Sequence, residues 1–439
     1  MKSPSRKIAL IIHQHLVSRK RASPGLTTLE SLTETLFYAS LKTDEARAIL
    51  CTLTFVAAEN PSGKDPPKIR PHRHSYISLS PQLSLNTRNL AKLAQATPPW
   101  SACIAICAKN KRFFICGLFD QEIHHRNALN QEPSSRFLRP GFFQIEITGV
   151  GSLAVYDGRT LLATLNQNSV VRTFHDVLNV GPIAKILAGY GARLDRRIRR
   201  QLSGEIASAK IDAYFGESAS EVWLRTLSRI LLGIKRLAHG GALLFVPAGP
   251  ASDLKIKYKL HYDKTEKVLA EHIANSIRAN AAWNEIHDNY LDRQAPNIPV
   301  LLHLDESIAA AEEEDALHAE LGCTHFIASL AGVDGLILMK GGLHVQGFGV
   351  EITKRIDPKK VFVAGNAKAS KAKLKKINLN HFGMRHRSMM RYCYHHRGTV
   401  GFVVSQDGDV RAMTRLGHGL IIWENIRLQD VDVESDGSE

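Results

Sequence analysis

Residues 330–352 read LAGVDGLILMKGGLHVQGFGVEI. Two apolar runs, Leu336 to Met339 and Leu343 to Ile352, flank Gly341-Gly342. A glycine pair supplies the positive φ angles that a tight connection needs, so the stretch predicts strand, turn and strand. Asp334-Gly335 stands where the first strand leaves its loop. A carboxylate placed there, followed by glycine, suits a divalent cation that bridges to phosphates. Asp-Gly is also a common turn pair, and it recurs at Asp157, Asp407 and Asp436.

Upstream of this stretch, SASEVWLRTLSRILLGIKRL (218–237) is strongly periodic and predicts a helix capped by Ser218 or Ser220. HGGALLFVPAG then reads as a buried strand. Residues 263–293 and the segment after Asp305 predict helices. Downstream, KKVFVAG is a short strand candidate, KASKAKLKK a lysine cluster, and TVGFVVSQDGDVRAM a closing hairpin. Between the last two lies FGMRHRSMMRYC, 382–393. Met389 with Cys393, and Met390 with Tyr394, pair at i, i+4, and Gly398 is a natural stop, so His386 to His396 predicts a helix. Arg385, His386 and Arg387 then fall in its first turn, where the helix dipole and free N–H groups are already positive. Cations there cost stability unless an anion neutralises them. A phosphate does so, and Gly383 removes a side chain that would hold it away.

The first half of the chain has a different texture. From 28 to 57 the pattern reads as mainly helical, including TDEARAILCTLTFVAA from Thr43. Residues 58–98 carry Pro61, Pro66, Pro67, Pro71, Pro81 and Pro98 and read as loop with short elements. SACIAICAKNKRFFICGLFD and FFQIEITGVGSLAVYDGRTLLATL give five apolar runs separated by turn signals, which predicts an antiparallel sheet. Cys103, Cys107 and Cys116 lie near His124 and His125, but ACIAIC alternates as small hydrophobes in a strand do, and no zinc spacing is present. Helix returns from about 167 to 215. It includes RLDRRIRRQL, whose Leu194, Ile198 and Leu202 form an apolar stripe opposite five arginines.

The composition bounds the rest. With 439 residues the chain has room for two or three domains. At 44% hydrophobic and 23% charged, and without an apolar run long enough to span a bilayer, it reads as a soluble cytoplasmic protein with no membrane partner. Six scattered cysteines fit a reducing compartment. A net charge of +15 favours anionic partners, nucleotide or nucleic acid. The expected division is 1–165, an α+β domain with antiparallel strands; 166–216, a helical connector; 217–427, an α/β domain with a mixed central sheet flanked by helices; and 428–439, a disordered acidic tail.

Asp334-Gly335-Leu336 and Arg385-His386-Arg387 together resemble the Asp-Gly-Ala and Arg-His-Arg motifs of the diadenylate cyclase (DAC) domain, which makes cyclic di-AMP from two ATP. LSRILLGIKRLAHGGALLFVP resembles that family's opening helix and strand, and GMRHRSMMRYCYHHRGTVGFVVSQDGDV its later helix and strand, so the likeness runs from about 220 to 425. A longer helical insertion, 250–325, interrupts it. The resemblance implies that Asp334 is the metal ligand, for Mg or Mn, and promotes deprotonation of the attacking hydroxyl. Gly335 and Leu336 would contact the nucleotide, and Gly383, Met384, Arg385, His386 and Arg387 would hold phosphate. It also implies a homodimer, in which each domain supplies half of the reaction centre.

Two departures weigh on turnover. Met384 replaces a family threonine, exchanging a hydroxyl for a thioether, and Leu336 replaces alanine. KKINLNHFG stands where the family is serine-rich. The GFGVEI ending and the preceding β-containing domain resemble the sensor subgroup termed DACNV. The leading expectation is therefore a bacterial signalling protein whose DAC-like domain senses ATP or a cyclic dinucleotide. An active diadenylate cyclase is the first alternative. A basic nucleic-acid-binding protein, using Arg193 to Arg200 and Lys368, Lys371, Lys373, Lys375 and Lys376, is the second.

Overall fold

The computed structural model describes residues 3–21, 23–44, 47–56, 75–99, 102–120, 143–157, 160–167, 169–214, 218–237, 239–249, 251–293, 297–379, 382–406 and 408–428. Gly216, His124, His125, Pro61, Pro66, Pro67, Pro71, Asp407 and the acidic tail beyond Leu428 lie outside them. The chain divides into two units, Met1–Thr173 and Phe174–Leu428. No helix among the described residues is long and apolar enough to cross a membrane.

In the first unit, helix α1 (Pro4–Ser18) opens on Ser3, whose hydroxyl accepts the Arg6 N–H. It packs with α2 (Leu26–Ser40), and Ile8, Ile12 and Leu16 meet Leu29, Leu32 and Leu36 at helical spacing. The helical reading beyond Ser40 is corrected. Thr43–Asp44 (β1) pairs with Arg47–Ala48 (β2), and Cys51–Phe55 (β3) is a fully buried strand. Two threonines and a phenylalanine favour the pleated conformation, and burial on both faces removes the alternation that would have marked it.

Among the described residues there follow β4 (Ser75–Ser84), α3 (Thr87–Ala96), β5 (Ala102–Lys109), β6 (Arg112–Asp120), β7 (Phe143–Gly149), β8 (Ser152–Asp157), β9 (Thr160–Asn166) and β10 (Ser169–Val171). The sheet order is β10-β9-β8-β7-β3-β5-β6-β4. All of its pairs are antiparallel except β3 with β5, so the sheet is mixed. Asn110 and Lys111 take φ of 51° and 61° between β5 and β6, the conformation a two-residue hairpin turn requires. Cys103, Cys107 and Cys116 pack with Val56 and Phe119 as small hydrophobes.

The second unit is a three-layer α/β arrangement. Its sheet contains β11 (Gly241–Val246), β12 (Leu254–Tyr262), β13 (Leu336–Lys340), β14 (Val345–Ile352), β15 (Val361–Ala364), β16 (Leu374–Lys376), β17 (Val400–Val404), β18 (Val410–Leu416) and β19 (Gly419–Trp423). Their order is β12-β14-β13-β11-β17-β18-β19-β15-β16. The β11–β13 and β15–β19 pairs are parallel and the others antiparallel, so this sheet too is mixed. Alternate residues of β11 face two cores. Leu243 and Phe245 meet α4 (Pro182–Leu202), α6 (Ala219–Arg236), α7 (Lys264–Ile286) and α8 (Val300–Ser329). Ala242, Leu244 and Val246 meet helix α9 (Met384–His395).

A short helix, α5 (Ser208–Tyr214), lies between α4 and α6. Ser218 caps α6 through a reciprocal bond pair with Glu221. Helix α8 begins at Val300, ahead of the Asp305 start expected for it, with Pro299 as its N-cap and the Pro299 carbonyl accepting the Leu302 N–H at 3.0 Å. The two ends of the unit are tied together: the His175 N–H donates to the Asn425 carbonyl at 3.0 Å, and the Arg427 N–H to the His175 carbonyl at 2.8 Å.

An ionic knot joins three helices of the first core. Glu320 of α8, fully buried, accepts Arg229 Nη1 at 2.6 Å and Thr226 Oγ1 at 2.8 Å from α6, and its other oxygen lies 2.6 Å from His272 Nδ1 of α7. Burial alone would raise its pKa, but the His272 bond and the Arg229 charge outweigh it and hold the carboxyl down at about 2.

Candidate functional site

Glycines set the geometry around Asp334. Gly335 has φ of +122°, and a Cβ there would lie 2.6 Å from the Gly349 carbonyl carbon. The loop before β13 therefore runs against the backbone of β14, which only glycine permits. On the other side, Gly401 of β17 lies under α9; a Cβ on it would meet Met389 Sδ at 2.5 Å. Removing that carbon lets α9 settle onto the sheet. Gly240, with φ of +72°, leaves room for the Arg385 guanidinium, whose Nη1 would lie 2.7 Å from a Cβ at that position.

Helix α9 starts at Met384, with Gly383 as its N-cap. No acidic residue stands in its first turn, and its N-cap glycine has no side chain to cap it, so the positive end of the helix is uncompensated from within. Arg385 Nη2 approaches Asp334 Oδ1 to 3.9 Å, and the Asp334 side chain is 93% exposed. An ion pair this long and this wet is weak, and an incoming anion or cation can replace either partner.

These residues line one cavity of about 630 Å3, within the roughly 300–1,000 Å3 of small-molecule sites. Asp334, Gly335 and Leu336 come from the β13 loop, and Met384, Arg385, Ser388 and Met389 from α9. Ala242, Val350 and Ile352 add apolar surface, and Lys255, Lys257 and Glu351 add charge. Met384 is 79% exposed, so its thioether stands at the rim of the cavity.

Gly383, His386 and Arg387 are not among the lining residues. Gly383 faces open space and gives its carbonyl to the Arg387 N–H at 3.1 Å. His386 turns inward, and Arg411 Nη1 lies 3.0 Å from its Nε2. Burial, then the charges of Arg411 and Arg385, press its pKa down to about 4. It is neutral at physiological pH, accepts a bond from Arg411 and contributes no cation. Arg387 Nε is buried without a hydrogen-bond partner among the described residues.

Sequence reading missed Gly240, Lys255, Lys257, Gly349, Glu351 and Ser388. The lysines had a visible signal: LKIKYKLHY, 254–262, alternates lysine with larger residues at strand spacing. The glycines had none, since close backbone approach leaves no local pattern.

The other basic segments are partly engaged elsewhere. Arg193 donates to the Gly341 carbonyl, and Arg199 pairs with Asp195 and Asp212. Leu194, Ile198 and Leu202 are buried beneath them, as expected for a solvated helix face. Lys371 and Lys373 lie in a single 3-10 turn, with Lys375 and Lys376 in β16.

Residues 18–120, all within the first unit, match the family model described as Probable sensor domain DACNV. The match covers α2, α3 and strands β1 to β6, and not the cavity. No curated protein and no solved structure matches the chain.

Proposed function

We propose that the second unit binds a nucleotide or cyclic dinucleotide in the cavity between the β13 loop and α9. In this reading the protein is a DAC-like sensor in bacterial signalling. The observation that carries it is that Asp334-Gly335-Leu336 and Met384-Arg385, far apart in sequence, line one cavity. Turn and surface residues matched by chance have no reason to meet there. The sensor-domain match in the first unit supports the signalling half of the reading.

The chemistry follows from the lining. Arg385 and the free N–H groups of the first turn of α9 take phosphate. Leu336, Val350, Ile352 and Met389 offer the apolar surface a base packs against. A hard cation such as Mg or Mn needs oxygen donors, and Asp334 supplies a carboxylate, with Glu351 the other carboxylate of the lining. That donor chemistry fits a metal held jointly with ligand phosphates; when bound, the metal would neutralise phosphate charge. His386 and Arg387 act from behind: His386 fixes Arg411, and both stand in the turn that aims Arg385. Met384 supplies no hydroxyl at the position where the cyclase family has one, which favours binding over turnover.

The cyclase reading keeps one specific support, the exposed Asp334 beside Arg385. It would require two domains face to face, as a homodimer. Incubation with ATP and Mn, together with thermal denaturation across a nucleotide panel, separates the readings. Sensing gives nucleotide-dependent stabilisation that disappears in Arg385→Ala, with no cyclic di-AMP formed. Cyclic di-AMP that vanishes in Asp334→Ala would replace the sensor by an enzyme. Stabilisation by no nucleotide would sink both, and salt-dependent DNA binding that survives Arg385→Ala would favour the nucleic-acid alternative.

A further inference from the structure

Among the described residues, strand β12 is an edge of its sheet, paired with β14. Its register sets Lys255 opposite Glu351 and Ile256 opposite Val350, so it continues the wall that β14 gives the cavity. Lys255 and Lys257 both line that cavity. Residues two apart on a strand share a face at a separation of about 7 Å. Among the described residues neither lysine is in an ion pair. Lys257 Nζ sits 5.1 Å from the centroid of the Tyr258 ring, which in turn stacks on Phe348 at 4.9 Å. The nearby Lys354, by contrast, has a carboxylate, Asp253, at 3.3 Å.

Charge around the cavity is therefore unbalanced. Arg385, Lys255 and Lys257 are set against the carboxylates of Asp334 and Glu351. The cations also come from separate elements, α9 and β12. A single phosphate on Arg385 leaves the lysine pair unanswered.

We propose that Lys255 and Lys257 are a second anion-binding element of this cavity, and that its ligand is a nucleotide carrying at least two phosphate groups. One phosphate lies on Arg385 and another on the lysine pair. The inference rests on the nucleotide reading of the cavity and narrows it. A linear polyphosphate and a cyclic dinucleotide share the required chemistry, whereas a nucleoside monophosphate does not have it. Edge lysines have an ordinary use as well, since they discourage pairing with another chain. Lys259 lies on the same edge and serves that purpose, but it is not among the lining residues, which makes it the control.

The experiment is calorimetric titration of ATP, cyclic di-AMP and AMP, at low and high salt. The full chain is used as wild type, as Lys255→Gln/Lys257→Gln, as Lys259→Gln and as Arg385→Ala. The double variant is expected to bind ATP or cyclic di-AMP about tenfold or more weakly, as loss of charged hydrogen bonds implies, with a shallower salt dependence. Its affinity for AMP should fall less, and Lys259→Gln should match wild type. Whichever of ATP and cyclic di-AMP loses more in the double variant is the source of the two phosphates. Wild-type affinity in the double variant alongside lost binding in Arg385→Ala would overturn the lysine assignment and leave the nucleotide reading standing. An equal loss in Lys259→Gln would also overturn it, as a general charge effect. Failure of the wild type to bind any of the three would remove the nucleotide reading, and this inference with it.

Discussion

His386 and Arg385 are neighbours in sequence with opposite surroundings, and the contrast can be measured. Arg385 lines the cavity, while His386 is turned inward beside Arg411 with its pKa pushed down to about 4. Since the unfolded value is near 6.5, the unfolded chain takes up the proton first as pH falls. The contribution of His386 to stability is therefore complete above about pH 6.5 and is lost as pH drops towards 4. His386→Gln keeps an acceptor for Arg411 and removes the titration. Thermal denaturation from pH 7 to 4 should show a shallower loss in the variant than in wild type; parallel curves would show that His386 is not buried as described. Which side chain of an Arg-His-Arg run turns inward was not legible in the sequence. Helical spacing places all three in the first turn, and only the packing against β18 separates them.

At the scale of elements, strands next to glycine signals are readable from sequence, including β11, which is buried on both faces, whereas two other fully buried strands are not. Gly341 and Gly342, with φ of +66° and +139°, turn the chain between β13 and β14 as their sequence suggests. By contrast, CTLTF reads as helix and GLIIW shows no alternation, because continuous burial removes a period of two. The knot on Glu320 belongs to this scale too, since it joins α6, α7 and α8 and no spacing rule pairs residues so far apart in the chain. Glu320→Ala takes the acceptor from Arg229, Thr226 and His272 together. A loss of about 3–5 kcal/mol is expected, the size found when one partner of a buried ion pair is removed. Chemical denaturation measures it, and a change below about 1 kcal/mol, as for exposed pairs, would mean the knot is wet.

For the whole molecule, the family match and the cavity fall in different units: residues 18–120 carry the former, and residues from Ala242 to Met389 the latter. Sequence motifs found the cavity from Asp334 and Arg385, because those residues carry local signatures. They missed its β12 wall, because an edge strand rich in lysine looks like any solvated strand. Hydrogen–deuterium exchange of the full chain, with and without the nucleotide that stabilises it most, tests the assignment of the site directly. Bound nucleotide should slow exchange at 254–257, 334–336, 349–352 and 384–389. Protection confined to other segments, such as the arginine helix at 193–200, or no protection anywhere, would contradict it.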